Sequence, residues 1–282
     1  MFLNIQDYTK ALEITENGVF FNKEINNISY PDEGSDLCFA AEDSSFWFKH
    51  RKKCILEIVK QFPPINKGPI FDIGGGNGYM TKSFLEEGYK SVLVEPSKQG
   101  IYNARVKRGI KNLIQTSLEN ANFVKESLPA VSAFDVIEHV ADDKKFIQEI
   151  YAYLKNEGKF YLTVPAYNWL WSSTDDGGGH YRRYTCSRLE KLLKAAGFKI
   201  EFSTYIFSLL PAPIFFLRSI PYRLLKNKFK LTIEQDLKAH KPNASNLMLL
   251  FDKLLSWEIK KIKNNQKLFF GGSCLICATK PC

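Results

Sequence analysis

Short apolar runs alternate with stretches whose apolar residues recur at helical spacing, and the alternation is regular from Pro69 onward. Ile70-Phe-Asp-Ile73, Ser91-Val-Leu-Val-Glu95, Asn112-Leu-Ile-Gln115, Ala130-Val-Ser-Ala-Phe134 and Lys159-Phe-Tyr-Leu-Thr-Val164 read as five strands. Most are almost continuously apolar, as strands covered on both faces must be. Helices are expected between them over about 79–87, stopped by Gly88, and over about 97–107, followed by one with Phe146, Ile147, Ile150 and Leu154 on a single face. Leu189, Leu192, Leu193 and Ala196 mark another helix, closed by Gly197. Phe198 to Tyr205 and Gly272 to Thr279 supply a sixth and a seventh strand. Such strand–helix units specify a doubly wound, Rossmann-like α/β fold, with a seven-stranded, mostly parallel sheet and helices on both faces. Ligands of these sheets bind at the carboxyl ends of the strands.

Outside this core the pattern changes. Leu12-Glu-Ile-Thr15 and Val19-Phe-Phe21 flank Glu16-Asn-Gly18, a hairpin signal. Residues 43–61 read as a helix with Phe48, Ile55, Ile58 and Val59 on one side, ended by Phe62-Pro-Pro64. Between strands six and seven the chain is first apolar and Pro-bearing, then basic, and ends in a helix with Leu247, Leu250, Phe251, Leu254 and Leu255 on one face. The expected division is a hairpin extension over 1–42, a main domain over 43–204 and 269–282, and an insertion over 205–268 that is not an independent domain.

Charge sharpens the view of that insertion. The formal net charge is +9 over 282 residues, and +8 of it lies between Arg218 and Lys267, where twelve Lys or Arg face four acidic residues. Beside the apolar run Tyr205 to Leu217, this fits peripheral membrane contact through 205–230, each basic residue contributing about 1 kcal/mol near an anionic leaflet. A solvated Lys-rich face, or a lid over an active site, accounts for the same residues. The run is too short and too Pro-interrupted to be a standard spanning helix. Only Tyr222 and Phe229 interleave the basic residues of 218–241, which argues against a nucleic-acid surface. The N-terminus has neither a basic start nor an apolar run, and the six cysteines are scattered. Cys274 and Cys277 lack a completing pair and would face opposite sides of a strand. A cytoplasmic protein with reduced thiols is expected, peripheral to a membrane at most.

The chemistry begins at Asp72-Ile-Gly-Gly-Gly-Asn-Gly78, at the end of the first parallel strand. A dinucleotide loop needs G-x-G-x-x-G, and Tyr79 stands where its last glycine would be. The pattern suits a nucleoside carrying an amino-acid tail, with Asp72 toward an ammonium group and Glu95 accepting from both ribose hydroxyls. Together with Phe134-Asp-Val-Ile-Glu-His-Val140 after the fourth strand, these residues resemble the class I S-adenosylmethionine-dependent methyltransferases. Closest in appearance are the ubiquinone-biosynthesis-like small-molecule methyltransferases, over roughly 43–204 and the last strand. The resemblance implies S-adenosyl-L-methionine held by Asp72, Gly74, Gly76, Asn77, Gly78, Glu95 and Asp135, with Ser117 and Leu118 flanking adenine. Many members carry Asp near the Thr116–Ser117 position, so adenine recognition here should rest more on backbone. The insertion is also longer than in a minimal member.

The expected reaction is O-methylation of a small or lipid-linked acceptor. An RNA or protein methyltransferase and a non-catalytic cofactor-binding module are the alternatives. Strand four is not followed by the Asn-Pro-Pro-aromatic sequence of many amino-group methyltransferases, and the Gly loop and Glu95 show no degeneration. His180, in Gly177-Gly-Gly-His-Tyr-Arg-Arg-Tyr184 after strand five, is the first candidate for general base. Arg182 or Arg183 could hold an anionic substrate group. His139 is the second candidate. In the ubiquinone O-methyltransferases carboxylates and a histidine at places like Asp135, Glu138 and His139 are associated with a divalent metal. Here Asp replaces the usual first Glu, helix capping accounts for these residues, and no metal is expected. Trp47 and Arg51, on the helix before strand one, are candidates to close the site. Trp169 is a candidate for the acceptor pocket.

Overall fold

The computed structural model describes residues 3–9, 12–22, 32–225 and 246–282. Strands β1 (Glu13–Ile14) and β2 (Phe20–Phe21) are followed by helices α1 (Asp32–Glu42) and α2 (Phe46–Gln61). Then come β3 (Ile70–Ile73), α3 (Tyr79–Glu86), β4 (Ser91–Val94), α4 (Lys98–Tyr102) and β5 (Leu113–Gln115). The chain continues through β6 (Leu128–Phe134), α5 (Asp143–Tyr153), β7 (Leu154–Pro165), α6 (Ser173–Gly177), α7 (Cys186–Ala195) and β8 (Lys199–Ile206). The insertion contributes α8 (Pro211–Ile214), α9 (Ile220–Leu224) and α10 (Asn246–Lys263), and β9 (Ser273–Thr279) closes the sheet.

The strand order is β1-β2-β5-β4-β3-β6-β7-β9-β8. The seven expected strands are all present. The hairpin adds two more by laying β2 parallel to β5, so the described sheet has nine. β9 runs antiparallel between β7 and β8, and the other core neighbours are parallel. The chain builds outward from β3 to β5, then returns to place β6 on the other side of β3. That reversal opens a crevice where the loops after β3 and β6 diverge.

Alternation along the strands divides the core in two. Phe71, Ile73, Val92 and Val94 pack with Ile147 and Ile150 of α5 and Leu189 and Leu193 of α7. Ile70, Ala130 and Tyr161 pack on the other face with Ile55, Ile58 and Val59 of α2, and Phe84 of α3. Cys274 belongs to the first cluster and Cys277 to the second, so the two thiols do face opposite sides. Leu255 and Ile262 of α10 share the second cluster with α2. A buried carboxylate ties the same parts together: Glu258 pairs with His50 at 2.9 Å and accepts from the amides of Phe207 (2.8 Å) and Ser208 (2.7 Å). Burial raises the Glu258 pKa, but the hydrogen bonds from His50 and Ser208 outweigh it and leave the pKa below its usual value.

Local signals explain several helix starts. Ser45 caps α2 by accepting from the Trp47 amide at 3.1 Å, Asp142 caps α5 through Lys145, and Thr185 caps α7 through Arg188. Three boundaries differ from expectation. Residues 32–42, assigned to the extension, form α1. The helix expected over 97–107 is α for one turn and a π-turn from Asn103 to Lys107. Leu154 opens β7 instead of closing α5. Residues 226–230 of the expected membrane segment, and the side chains of Leu247, Leu250 and Phe251, lie outside the described residues.

Candidate functional site

At the crevice the chain leaves β3 through Gly74, Gly76 and Gly78, all at positive φ. Gly78 needs that freedom most: φ is +76°, and a Cβ there would stand 2.4 Å from Ile110 Cδ1. A Cβ on Gly75 would stand 2.3 Å from Leu93 Cδ1 and 2.7 Å from Asp72 Oδ2. The turn is therefore folded onto its own carboxylate. Asp72 is buried, with Ser132, its register partner on β6, donating to Oδ1 at 2.7 Å and Thr81 donating to Oδ2 at 2.7 Å. Burial raises its pKa, and the two hydroxyls oppose that. Across the loop Glu95 accepts the Gly76 amide at 2.8 Å on one oxygen and the Ser97 amide at 2.9 Å on the other. Gly75→Ala is expected to push Leu93 and Asp72 apart and weaken nucleoside binding at least tenfold in a calorimetric titration. Unchanged affinity would mean that the loop does not meet the ligand.

A cavity of about 630 Å³ opens over these groups. Asp72, Gly74, Gly76, Asn77, Glu95, Ser117, Leu118 and Asp135 all line it. Gly78 is not among the lining residues and acts through the turn. The hydroxyl oxygens of Thr116 and Ser117 are buried without a hydrogen-bond partner, and both residues line the cavity.

The wall that sequence reasoning missed is α1, which brings Ser35, Cys38 and Glu42 to the cavity. Asn77 ties α1 to the glycine loop: its amide donates to Ser35 O (2.8 Å) and Glu42 Oε1 (3.1 Å), and its oxygen accepts from Asn103 (2.9 Å). Glu42 also pairs with Arg108 at 2.6 Å. Burial raises the Glu42 pKa against that pairing. The signal available was Pro31 followed by two acids, a helix start, weakened by Gly34.

Opposite α1, Arg51 of α2 lines the cavity and pairs with Asp135. Burial lowers the Arg51 pKa, while the charges of Glu42 and Glu138 oppose that. Asp135 sits at φ +55° and also accepts from Thr163 at 2.8 Å. A non-glycine residue held in the left-handed region costs roughly 1–3 kcal/mol.

Beyond Asp135, His139 lines the cavity and meets His180 edge to face, with centroids 4.6 Å apart and planes at 83°. Burial, and then the neighbouring His180, lower the His139 pKa to about 4, so its imidazole is neutral at pH 7. His180 is not among the lining residues and reaches the cavity through His139. Its Nδ1 bonds Asp175 Oδ1 at 2.8 Å. Asp175 is fully buried and clamped by Arg183 at 2.6 and 3.0 Å. Glu138 is fully buried, neither of its carboxylate oxygens has a partner, and burial pushes its pKa to about 8.

The remaining candidates lie off the cavity wall. Arg183 is committed to Asp175. Arg182 pairs with Asp143 at 2.8 Å and donates to Ala141 O at 2.6 Å. Trp47 stacks on Phe207 at 3.9 Å. Trp169 is partly exposed among Tyr167, Phe215 and Phe270. Asp175 was missed because its partners, His180 and Arg183, are set by how the chain folds back after α6, not by a spacing rule.

Residues 47–201 match the family described as a methyltransferase domain. The chain is 25% identical to the ubiquinone biosynthesis O-methyltransferase of Rickettsia conorii, over 49% of this chain and 52% of that protein. It is 28% identical to the mitochondrial ubiquinone biosynthesis O-methyltransferase of Bos taurus, over 36% of this chain and 30% of that one. The chain thus spans about half, or less, of the length of these curated relatives. Phosphoethanolamine N-methyltransferase 2 of Haemonchus contortus, solved with S-adenosyl-L-methionine, superposes with a TM-score of 0.57 at 20% identity, covering 93% of this chain and 62% of that one. The [4+2]-cyclase SpnF superposes at 0.58 with 14% identity, covering 91% and 99%. At such identities the likeness is one of fold alone.

Proposed function

The chain belongs to the methyltransferase-domain family of class I S-adenosylmethionine-dependent enzymes, and on that premise we propose that it methylates a hydroxyl oxygen of a small or lipid-linked acceptor. One observation carries the reading: a single cavity joins Glu95 to His139. The cofactor's ribose would lie at Glu95 and its ammonium near Asp72, directly or through water. Arg51, charged and buried beside Asp135, is placed to meet the cofactor's carboxylate. Ser117 and Leu118 would flank adenine, as the resemblance implies. The sulfonium then faces the His139 end, where an acceptor oxygen could approach in line. Alignment of two bound reactants supplies much of such a reaction's acceleration. A hydroxyl must also lose its proton, and the neutral imidazole of His139, with His180 behind it, is placed to take part in that transfer. The first test is a calorimetric titration with S-adenosylmethionine, then mass-spectrometric detection of methylated product across phenolic and lipid-linked acceptors. Cofactor binding followed by methylation at nitrogen alone would overturn the assignment to oxygen.

The acceptor's lipid character rests on the surface around Trp169. Phe216, Leu217, Leu224 and Phe269 are 63%, 68%, 76% and 88% exposed. Phe215 joins this patch to Trp169 at 5.3 Å, and Phe270 joins it to Tyr167 at 5.4 Å. Arg218 and Arg223 flank it. No helix among the described residues is long and apolar enough to cross a membrane, so contact would be interfacial. The protein is expected to cosediment with anionic vesicles at low salt, and the double substitution Phe216→Asp, Leu217→Asp to reduce the bound fraction at least fivefold. Equal sedimentation of the two proteins would remove the membrane from the proposal.

A further inference from the structure

We infer that the acceptor end of the cavity is a divalent transition-metal site whose ligands are Glu138, His139 and His180. The inference deepens the proposed function and rests on it for the metal's purpose, though the site itself stands on geometry. Each of the three side chains offers one ligand atom, and these atoms lie within 4.8 Å of one another. An ion held by all three would draw them in to bonding distances of about 2.0–2.2 Å.

Three features fit the residues to a metal. The carboxylate of Glu138 is fully buried, and neither oxygen has a hydrogen-bond partner. Buried acceptors are almost always satisfied, and an orphaned pair calls for a missing partner. The second feature lies behind His180. Its Nδ1 is held at 2.8 Å by the buried Asp175, itself fixed by Arg183, which leaves Nε2 as the nitrogen able to face an ion. A carboxylate on the far nitrogen of an imidazole is the common support of a metal-binding histidine. Thirdly, the two loops are pinned together by backbone: the Tyr181 amide donates to Glu138 O at 2.7 Å. The ligands are thus placed before any ion arrives.

The set differs from the carboxylate-rich one expected by resemblance. Asp135, the first position of that set, is turned to Arg51 and Thr163 and does not join the cluster. His180 stands in instead. Exchanging a carboxylate for an imidazole moves the preference away from magnesium, calcium and manganese toward zinc, cobalt, nickel or iron. With three protein ligands, an ion would keep coordination positions for a water or an acceptor oxygen, and His139 is the ligand that lines the cavity. There an ion would lower the pKa of a coordinated acceptor hydroxyl.

The test is direct binding with chelator-stripped protein. Zn²⁺ and Mg²⁺ are titrated calorimetrically, and Co²⁺ is followed by its visible absorption, with thermal unfolding of each variant as a check on folding. The wild type should bind one Zn²⁺ or Co²⁺ at this site and Mg²⁺ at least tenfold more weakly. His180→Ala and Glu138→Gln should each lose at least a hundredfold in Zn²⁺ affinity, Asp175→Asn about tenfold, and Asp135→Asn less than twofold. Zn²⁺ affinity unchanged in His180→Ala and Glu138→Gln, or lost in Asp135→Asn while His180→Ala retains it, would overturn the site. A parallel titration with S-adenosylmethionine separates the two ideas. Cofactor binding without metal binding refutes only the ion, whereas metal binding without cofactor binding refutes the proposed reaction.

Discussion

Glu95→Ala is expected to weaken S-adenosylmethionine binding by at least a hundredfold. The carboxylate stands at the end of β4 with each oxygen already holding one backbone amide, from Gly76 and from Ser97. Those bonds fix the plane in which the carboxylate would accept from the two ribose hydroxyls. Hydrogen bonds to a charged group contribute about 1.5–3 kcal/mol each, so losing two removes roughly 3–6 kcal/mol. Every 1.4 kcal/mol is tenfold in affinity, which puts the loss at two to four orders of magnitude. Truncation also releases the two amides that shape the loop. Glu95→Gln, which keeps an acceptor but loses the charge, should fall between. Calorimetry measures both, with thermal unfolding to show that the variants fold. Affinity for Glu95→Ala within fivefold of wild type would show that the ribose is held elsewhere. Asp72→Ala is a poorer probe, because it leaves the hydroxyls of Thr81 and Ser132 unpaired in the core.

Glu138→Gln is expected to stabilise the metal-free protein at alkaline pH. Burial raises the pKa of Glu138 to about 8 in the folded protein, against 4.5 for the group in water. The sign follows from linkage. Below pH 4.5 the carboxyl is protonated in both states and contributes no pH dependence. Between 4.5 and 8 the unfolded chain releases a proton that the folded one keeps, so stability falls as pH rises. Above 8 the whole cost is present. At 1.36 kcal/mol per pH unit that cost approaches about 5 kcal/mol. Glutamine has nearly the same shape and no charge to bury. Its melting temperature should therefore exceed that of the wild type by roughly 10 °C at pH 8.5 in the presence of chelator, and by less than about 2 °C at pH 4.5. Zinc should narrow the alkaline gap by stabilising the wild type alone. An equal offset at both pH values would mean that Glu138 is not held protonated by the fold.

The sheet was readable because each core strand is short, apolar and bounded by a loop residue, and because Gly74, Gly76 and Gly78 mark where backbone must turn sharply. Cofactor candidates on the loops after β3, β4, β5 and β6, Gly78 excepted, line one cavity because strand order brings those loops together. Side chains whose partners come from distant segments were not readable. Trp47 could be placed on α2 from spacing, but its stacking on Phe207 depends on how the insertion leaves β8. Arg182 and Arg183 looked equally available to a substrate, yet each is taken by an acid in the first turn of a nearby helix, Asp143 of α5 and Asp175 of α6. The acceptor end shows the same limit most sharply. His139 and His180 were both singled out, as rivals for one role, while the structure sets them side by side with Glu138, a grouping that no spacing rule brings together.

The pairing of Glu258 with His50 has a consequence for descent. It locks the helix before β9 to the helix that carries Arg51, across 208 residues of chain. Relatives that lost the insertion would keep a histidine with no acid to face, in a core that tolerates it poorly. Positions 50 and 258 should accordingly be inherited together, with an apolar residue at 50 wherever the insertion is short. A chimera that grafts this insertion onto a shorter relative should need histidine at 50 before it folds.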